Sequence, residues 1–286
     1  MTGVGEKAVT DAAGALPTST AKPTKTALEG WRLGVTPTLA GLRHYALIPI
    51  LILAWEIGVR TGWIDGAMLP APSAILNALV DMSEAGLLWR DVWASIVRVT
   101  VGFGLAAVVA ISLGLAFGVW PRAAAYLNPL IELIRPISVL AWIPLAILWF
   151  GLGDKSAWFI IFLGSFFPIF TNTYLGARSV ALIHIRVAQS FGAGRMLFVR
   201  QVLFPSSLPY IVAGLRVGLG VGWTCVIAAE LIAATSGLGY MIQLARTMIE
   251  TEKVMAGMVV IGVVGFAMNA AMLWLERKLI PWAQPR

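Results

Sequence analysis

Six ionisable residues sit inside or at the ends of strongly apolar stretches: Glu56, Arg98, Glu132, Arg135, Arg216 and Glu230. A charge at the centre of a bilayer costs about 2.5–3.5 kcal/mol on insertion scales, so each must face protein or water. Two kinds of chemistry are open to them. They can pair across helices or reach an interface, Glu132 with Arg135 on one helix face and Arg98 at the outer boundary. Alternatively an arginine lines a polar route through the apolar layer and attracts an anion, which makes Arg135 and Arg216 candidates for a translocation path. Glu230 follows a run of small residues and either holds a neighbouring helix or gates that path.

Residue types argue against other chemistries. One cysteine, Cys225, and two distant histidines, His44 and His184, make neither an intrachain disulfide nor a structural metal site. A phosphate cradle needs a glycine, four residues, then Gly-Lys-Ser/Thr. Gly153-Asp154-Lys155-Ser156 approaches it but places an aspartate where the second glycine must be, the wrong sign beside a phosphate. No cofactor is expected in this chain. No nucleophile, base and orienting group converge, so an enzyme is not expected.

A second feature is a basic segment, residues 176–207, with Arg178, Arg186, Arg195 and Arg200 and no acidic residue. The stretch 179–191 reads as a helix, Gly192 and Gly194 allow a tight turn, and a second helix over about 195–204 would end at Pro205. Leu182, Ile183, Val187 and Phe191 form one apolar stripe, and Leu197, Phe198, Val202 and Leu203 form another. Such stripes pack on the chain's own helix ends or on lipid, or they dock another subunit.

The surrounding elements must be membrane helices. Apolar residues make up 59% of the 286 and charged residues 12%, with a mean hydropathy of +0.84. Soluble domains have about 25% charged residues, and a soluble fold would leave large apolar patches in water. Six apolar spans are predicted at 44–60, 94–120, 126–150, 156–175, 208–233 and 254–276. Pro136 and Pro144 should break the third. Ile75, Leu76, Leu79 and Met82 predict a short interfacial helix before the second span, and residues 236–253 resemble it. Trp63 and Trp89 read as interfacial anchors.

The net charge is +7, but the basic residues are scattered between spans, which fits lipid headgroups rather than nucleic acid. With the N-terminus inside, 13 Lys and Arg fall on cytoplasmic segments and 5 (Arg60, Arg90, Lys155, Arg246, Lys253) on outer ones. The positive-inside rule then places both termini and the 176–207 loop in the cytoplasm. Residues 1–42 read as a flexible cytoplasmic tail without a signal peptide, residues 43–282 as the transmembrane domain, and 283–286 as a short C-terminal tail. Gly214, Gly218 and Gly222 permit close helix approach, within the chain or as a dimer seam.

The loop resembles the EAA loop of ABC-importer permeases. Arg186-Val187-Ala188, three residues, Gly192, nine residues, then Val202-Leu203-Phe204-Pro205 reproduce its spacing, its glycine and its final proline. Arg186 stands where that pattern has glutamate, so the shape carries over and the glutamate's salt bridges do not. Residues 69–75, 135–180 and 228–242 resemble the nitrate/sulfonate/taurine branch, and the likeness covers about 44–282. It implies an all-α type I importer permease acting as a homodimer in a bacterial inner membrane. Two cytoplasmic ATP-binding subunits would dock on Arg186, Val187, Ala188, Phe191, Gly192, Val202, Phe204 and Pro205. A periplasmic or extracellular binding protein would deliver a small oxyanion such as a sulfonate, taurine or nitrate. Closure of the ATPase pair would pull the loops together and turn the pathway outward. The rivals are a secondary carrier, an intramembrane enzyme and an exporter permease. They would call for inverted repeats, clusters of His or Asp within spans, and the lack of such a loop, respectively.

Overall fold

The computed structural model describes residues 40–281. The C-terminal tail 283–286, and all but the last three residues of the expected N-terminal tail, lie outside them. Every regular element among the described residues is helical. The chain divides into two units, one ending at Leu53 and the other beginning at Ala54. The first is described only as residues 40–53, the opening turns of α1 (Ala40–Arg60).

The second unit begins with the last turns of α1. There the Glu56 carboxylate accepts hydrogen bonds from Arg60 Nε at 2.6 Å, Ser73 N–H at 3.0 Å and Ser73 Oγ at 2.8 Å. It thereby satisfies an orphan donor in the first turn of α2 (Pro72–Glu84). Ile75, Ala78 and Met82 of α2 are buried against Leu88, Leu238, Met241 and Ala256. Leu76, expected on the same apolar face, is exposed. The 75/78/82 stripe turns it about 100° away.

Four helices among the described residues are long and apolar enough to cross a bilayer. These are α3 (Leu87–Val119), α6 (Asp154–Arg178), the helical run Met196–Ala233 and α11 (Thr251–Leu279). α3 has 33 residues, about 50 Å at 1.5 Å per residue, against a hydrocarbon core of about 30 Å. Its first turns therefore extend beyond the apolar layer.

Small residues set the helix directions. Added side-chain atoms at Gly102 and Gly114 of α3 would strike Ile161 and Thr173 of α6 at 2.7 Å, and at Gly118 they would strike Ala177. The order is the same on both helices, so α3 and α6 run parallel. Parallel neighbours need a return crossing between them. α4 (Pro121–Ile134), a 3₁₀ turn (Val139–Trp142) and α5 (Ile143–Phe150) supply it as two helical arms bent by 85°. Pro136 lies in the break and Pro144 in the first turn of α5, where its missing N–H costs nothing. The break between the two arms was legible in these two prolines. Counting the pair as one span gives five.

After α6 come α7 (Leu182–Ser190), α8 (Arg195–Phe198), a π turn (Val199–Leu203) and α9 (Phe204–Ala233). Pro205 does not end a helix, contrary to the sequence expectation. The π turn feeds directly into α9, with Phe204 N–H bonded to Val199 O five residues back. That wider turn makes room for the proline, which occupies the first turn of α9. α9 runs antiparallel to α6 and leads to α10 (Leu238–Thr247), then α11. Met272 and Ile280, at the far end of α11, pack on Val212 of α9. The end of α11 therefore shares a side with the α6–α9 loop.

Candidate functional site

The loop between α6 and α9 is a helix-turn-helix. α7 ends where Gly192 takes φ +67°, a left-handed conformation that suits glycine. Gly192 N–H bonds Gln189 O at 2.9 Å and Ala193 N–H bonds Ala188 O at 3.0 Å. These paired bonds satisfy the last carbonyls of α7. Ala188 and Leu203 are buried, and Ala177 and Val180 join Leu203 in a small core that anchors the loop to the end of α6.

Both expected stripes are only partly covered. Leu182, Ile183, Val187, Met196 and Leu197 are exposed, and Phe191 is 86% exposed. Between the two arms lies an open cavity of about 460 Å³, lined by Val187, Ala188, Phe191, Leu197, Phe198 and Val202 among others. Arg186 is exposed and forms no ion pair among the described residues. A stiff prong with bare apolar flanks is what the geometry provides.

The opposite end of the α6–α9 pair holds a buried polar knot. Arg98 is 4% and Glu230 1% exposed. Arg98 Nη1 donates to Glu230 Oε1 at 2.8 Å and to Ser236 O at 2.6 Å. Its Nη2 donates to Ser236 Oγ at 2.8 Å and its Nε to Asp154 Oδ1 at 2.7 Å. Ser95 Oγ donates to the Glu230 carboxylate at 2.8 Å and accepts Leu238 N–H at 2.9 Å. Asp91 Oδ1 accepts Gly237 N–H at 3.1 Å and Glu230 Oε2 accepts Gly239 N–H at 2.9 Å. Three orphan amides at the start of α10 are thus capped by side chains of α3 and α9, two of them carboxylates placed favourably for the helix dipole. The knot ties α3, α6, α9 and α10 together at one point.

This arrangement decides between readings the sequence left open. Arg98 pairs across helices instead of reaching the outer interface. Glu230 holds a neighbouring helix, and its carboxylate is enclosed by the chain itself. Asp91, Ser95, Asp154 and Ser236 were not singled out for this role. The available signal was that Arg98 and Asp154, of opposite sign, both stand near the starts of apolar spans.

The three glycines of the α9 stripe lie against α6. Added side-chain atoms at Gly214, Gly218 and Gly222 would strike Asn172, Ile169 and Ser165 of α6 at 2.9, 2.7 and 2.6 Å. Their close approach is to α6 of the same chain. Gly220 meets nothing within 4 Å and belongs to an open face of α9 with Ala213, Val217 and Thr224.

Of the other candidates, Arg135 caps α4 at the break and is exposed, and Glu132 is exposed too. A Glu132–Arg135 pair is absent among the described ion pairs, although Arg135 keeps helical dihedrals at the C-cap of α4. Arg216 lies on an open groove of about 540 Å³ between α9 and α11, with Nη1 3.7 Å from Glu276 Oε2.

The chain matches known transport proteins over most of its length. The family model described as "Binding-protein-dependent transport system inner membrane component" matches residues 102–282. The chain is 38% identical over 240 residues to the taurine transport system permease protein TauC of Escherichia coli (strain K12), covering 82% of this chain and 87% of TauC. It is 31% identical over 253 residues to the nitrate import permease protein NrtB of Synechocystis sp. (strain PCC 6803), covering 85% and 90%. Its fold is similar to a chain of the inward-facing MetNI methionine ABC transporter, with a TM-score of 0.60 at 20% identity, covering 68% of this chain and 96% of that one. The helix-turn-helix loop, the membrane helices and these likenesses agree: the chain belongs to the family of binding-protein-dependent transport system inner membrane components and is a multi-pass permease subunit of an ABC importer.

Proposed function

We propose that the permease imports a small oxyanion, a sulfonate, taurine or nitrate, across a bacterial cytoplasmic membrane. The taurine and nitrate permeases among its relatives support that substrate class. In this reading α1 adds a sixth span to the five counted above, and both termini are cytoplasmic. Parallel α3 and α6 with antiparallel α9 fit the alternation this requires. The basic 176–207 segment then faces the cytoplasm.

A family of this kind works with an ATP-binding subunit and a substrate-binding protein. The observation that carries the coupling assignment is the exposed Phe191 beside Gly192, at the tip of a prong continuous with α9. The second arm runs as one helical stretch, Met196–Ala233, so force on it is passed directly to the membrane helix. Docking is mainly apolar, through Val187, Phe191 and Val202 beside the Gly192 turn, with Phe204 and Pro205 at the root of α9. Two copies of this chain, with two ATP-binding subunits, line one pathway along the open α9 face of Ala213, Val217, Gly220 and Thr224. Arg135, exposed at the break of the third span, is a second cation near that route. The chain itself does no catalysis, and ATP binds to the other subunit.

The test is reconstitution with the ATP-binding subunit and binding protein encoded beside the chain. ATP-dependent accumulation of taurine, methanesulfonate or nitrate is expected, at rates that require both partners. Uptake of none of the three would remove the oxyanion reading.

A further inference from the structure

The groove between α9 and α11 contains an ion pair that is poorly made. Arg216 Nη1 and Glu276 Oε2 stand 3.7 Å apart, too far for a hydrogen bond, with side chains 45% and 36% exposed. Glu276 Oε2 is itself enclosed, yet it accepts no hydrogen bond among the described residues. Compare Arg98, which uses all three of its nitrogens at 2.6–2.8 Å. Two charges on apolar helices would not be left half-satisfied against lipid, so the groove faces water or protein. Thr224 and Asn269 add uncharged polar groups to the same walls, and the volume of about 540 Å³ accommodates a sulfonate-sized anion.

We infer that Arg216 and Glu276 form a counter-ion exchange site for the transported oxyanion. The anion takes the Arg216 guanidinium from Glu276, and Glu276 takes it back as the anion leaves. A planar guanidinium presents paired donors to a sulfonate or nitrate. The neighbouring carboxylate prevents the site from holding the anion too long. A single cation in the groove would hold the anion longer, whereas an internal competitor restores a low affinity at the exit. The inference rests on the oxyanion reading above.

The experiment uses the complete reconstituted transporter and measures ATP-driven uptake of radiolabelled taurine, methanesulfonate and nitrate, with each anion also loaded inside the vesicles. Failure of the unaltered complex to move any of them overturns the oxyanion reading itself. Given uptake, Arg216→Gln is expected to lower it by at least about tenfold, and the double variant Arg216→Gln/Glu276→Gln to stay equally low. Recovery in the double variant would mean that the pair is only a brace, and would overturn the site. Glu276→Gln alone is expected to make uptake inhibitable by about tenfold less internal anion than the parent needs. An unchanged internal-anion response would overturn it independently, even if Arg216→Gln fails to accumulate in the membrane.

Discussion

Arg98 and Glu230, separated by 132 positions in sequence, meet at 2.8 Å in a site where each is almost wholly buried. The pair closes the end of the helix group opposite the 176–207 prong. Because α9 carries Glu230 near one end and continues into the prong at the other, one helix connects the two places. A knot that fixes α3, α6 and α10 to that helix makes the group move as a body.

Removing one member of this pair strands the other. Arg98→Ala is expected to destabilise the chain by about 3–5 kcal/mol, as for a buried charge left alone. Glu230→Gln keeps the shape and one acceptor and should cost less. Thermal unfolding of the purified permease in detergent checks the order. Equal and small shifts for both variants would show that the knot contributes little.

Gly237 has φ +109°, and an added side-chain atom there would collide with the Glu230 carboxylate and Arg98 Nη1. Gly237→Ala should therefore lower the unfolding temperature, combining backbone strain of about 1–3 kcal/mol with disruption of the knot. Gly192→Ala is the control. Its φ of +67° is also strained, but nothing lies within 4 Å. It should cost only about 1–2 kcal/mol.

The two glycine faces of α9 can be separated in the same way. Gly218→Ala pushes on Ile169 and should destabilise by about 1–3 kcal/mol. Gly220→Ala meets open space and should leave stability the same or raise it by up to about 1 kcal/mol. A larger loss at Gly220 than at Gly218, read from unfolding in detergent, would contradict the assignment of the inner face to α6.

Much of this was legible in the sequence where single residues dictate backbone. Pro136 and Pro144 broke the third span, and Gly192 turned the loop, because each restricts or frees a dihedral whatever its surroundings. Pro205 was misread because a proline forbids a bond at its own position but not a helix that starts there. The partners of Gly214, Gly218 and Gly222 were not legible. A small-residue stripe states that a helix comes close, not which helix. The knot was illegible for a related reason: Asp91, Ser95, Arg98, Asp154, Glu230 and Ser236 come from four separate segments, and only the parallel packing of α3 on α6 brings them together.

Arg186 is exposed and without an ion pair among the described residues. Arg186→Glu should shift stability by no more than about 0.5 kcal/mol. On the apolar docking reading, uptake should also change little. A large gain or loss of transport would show that charge at this position participates in docking.

The central claim is that the 176–207 prong engages the ATP-binding subunit from the cytoplasm. A cysteine placed at the exposed Phe191 position tests it, since the native Cys225 is buried. In the assembled complex, Phe191→Cys is expected to crosslink to the ATP-binding subunit with a short bifunctional reagent that joins a thiol to an amine, and to resist membrane-impermeant reagents added outside intact cells. Labelling from outside, or no crosslink in a complex that still transports, would contradict the account.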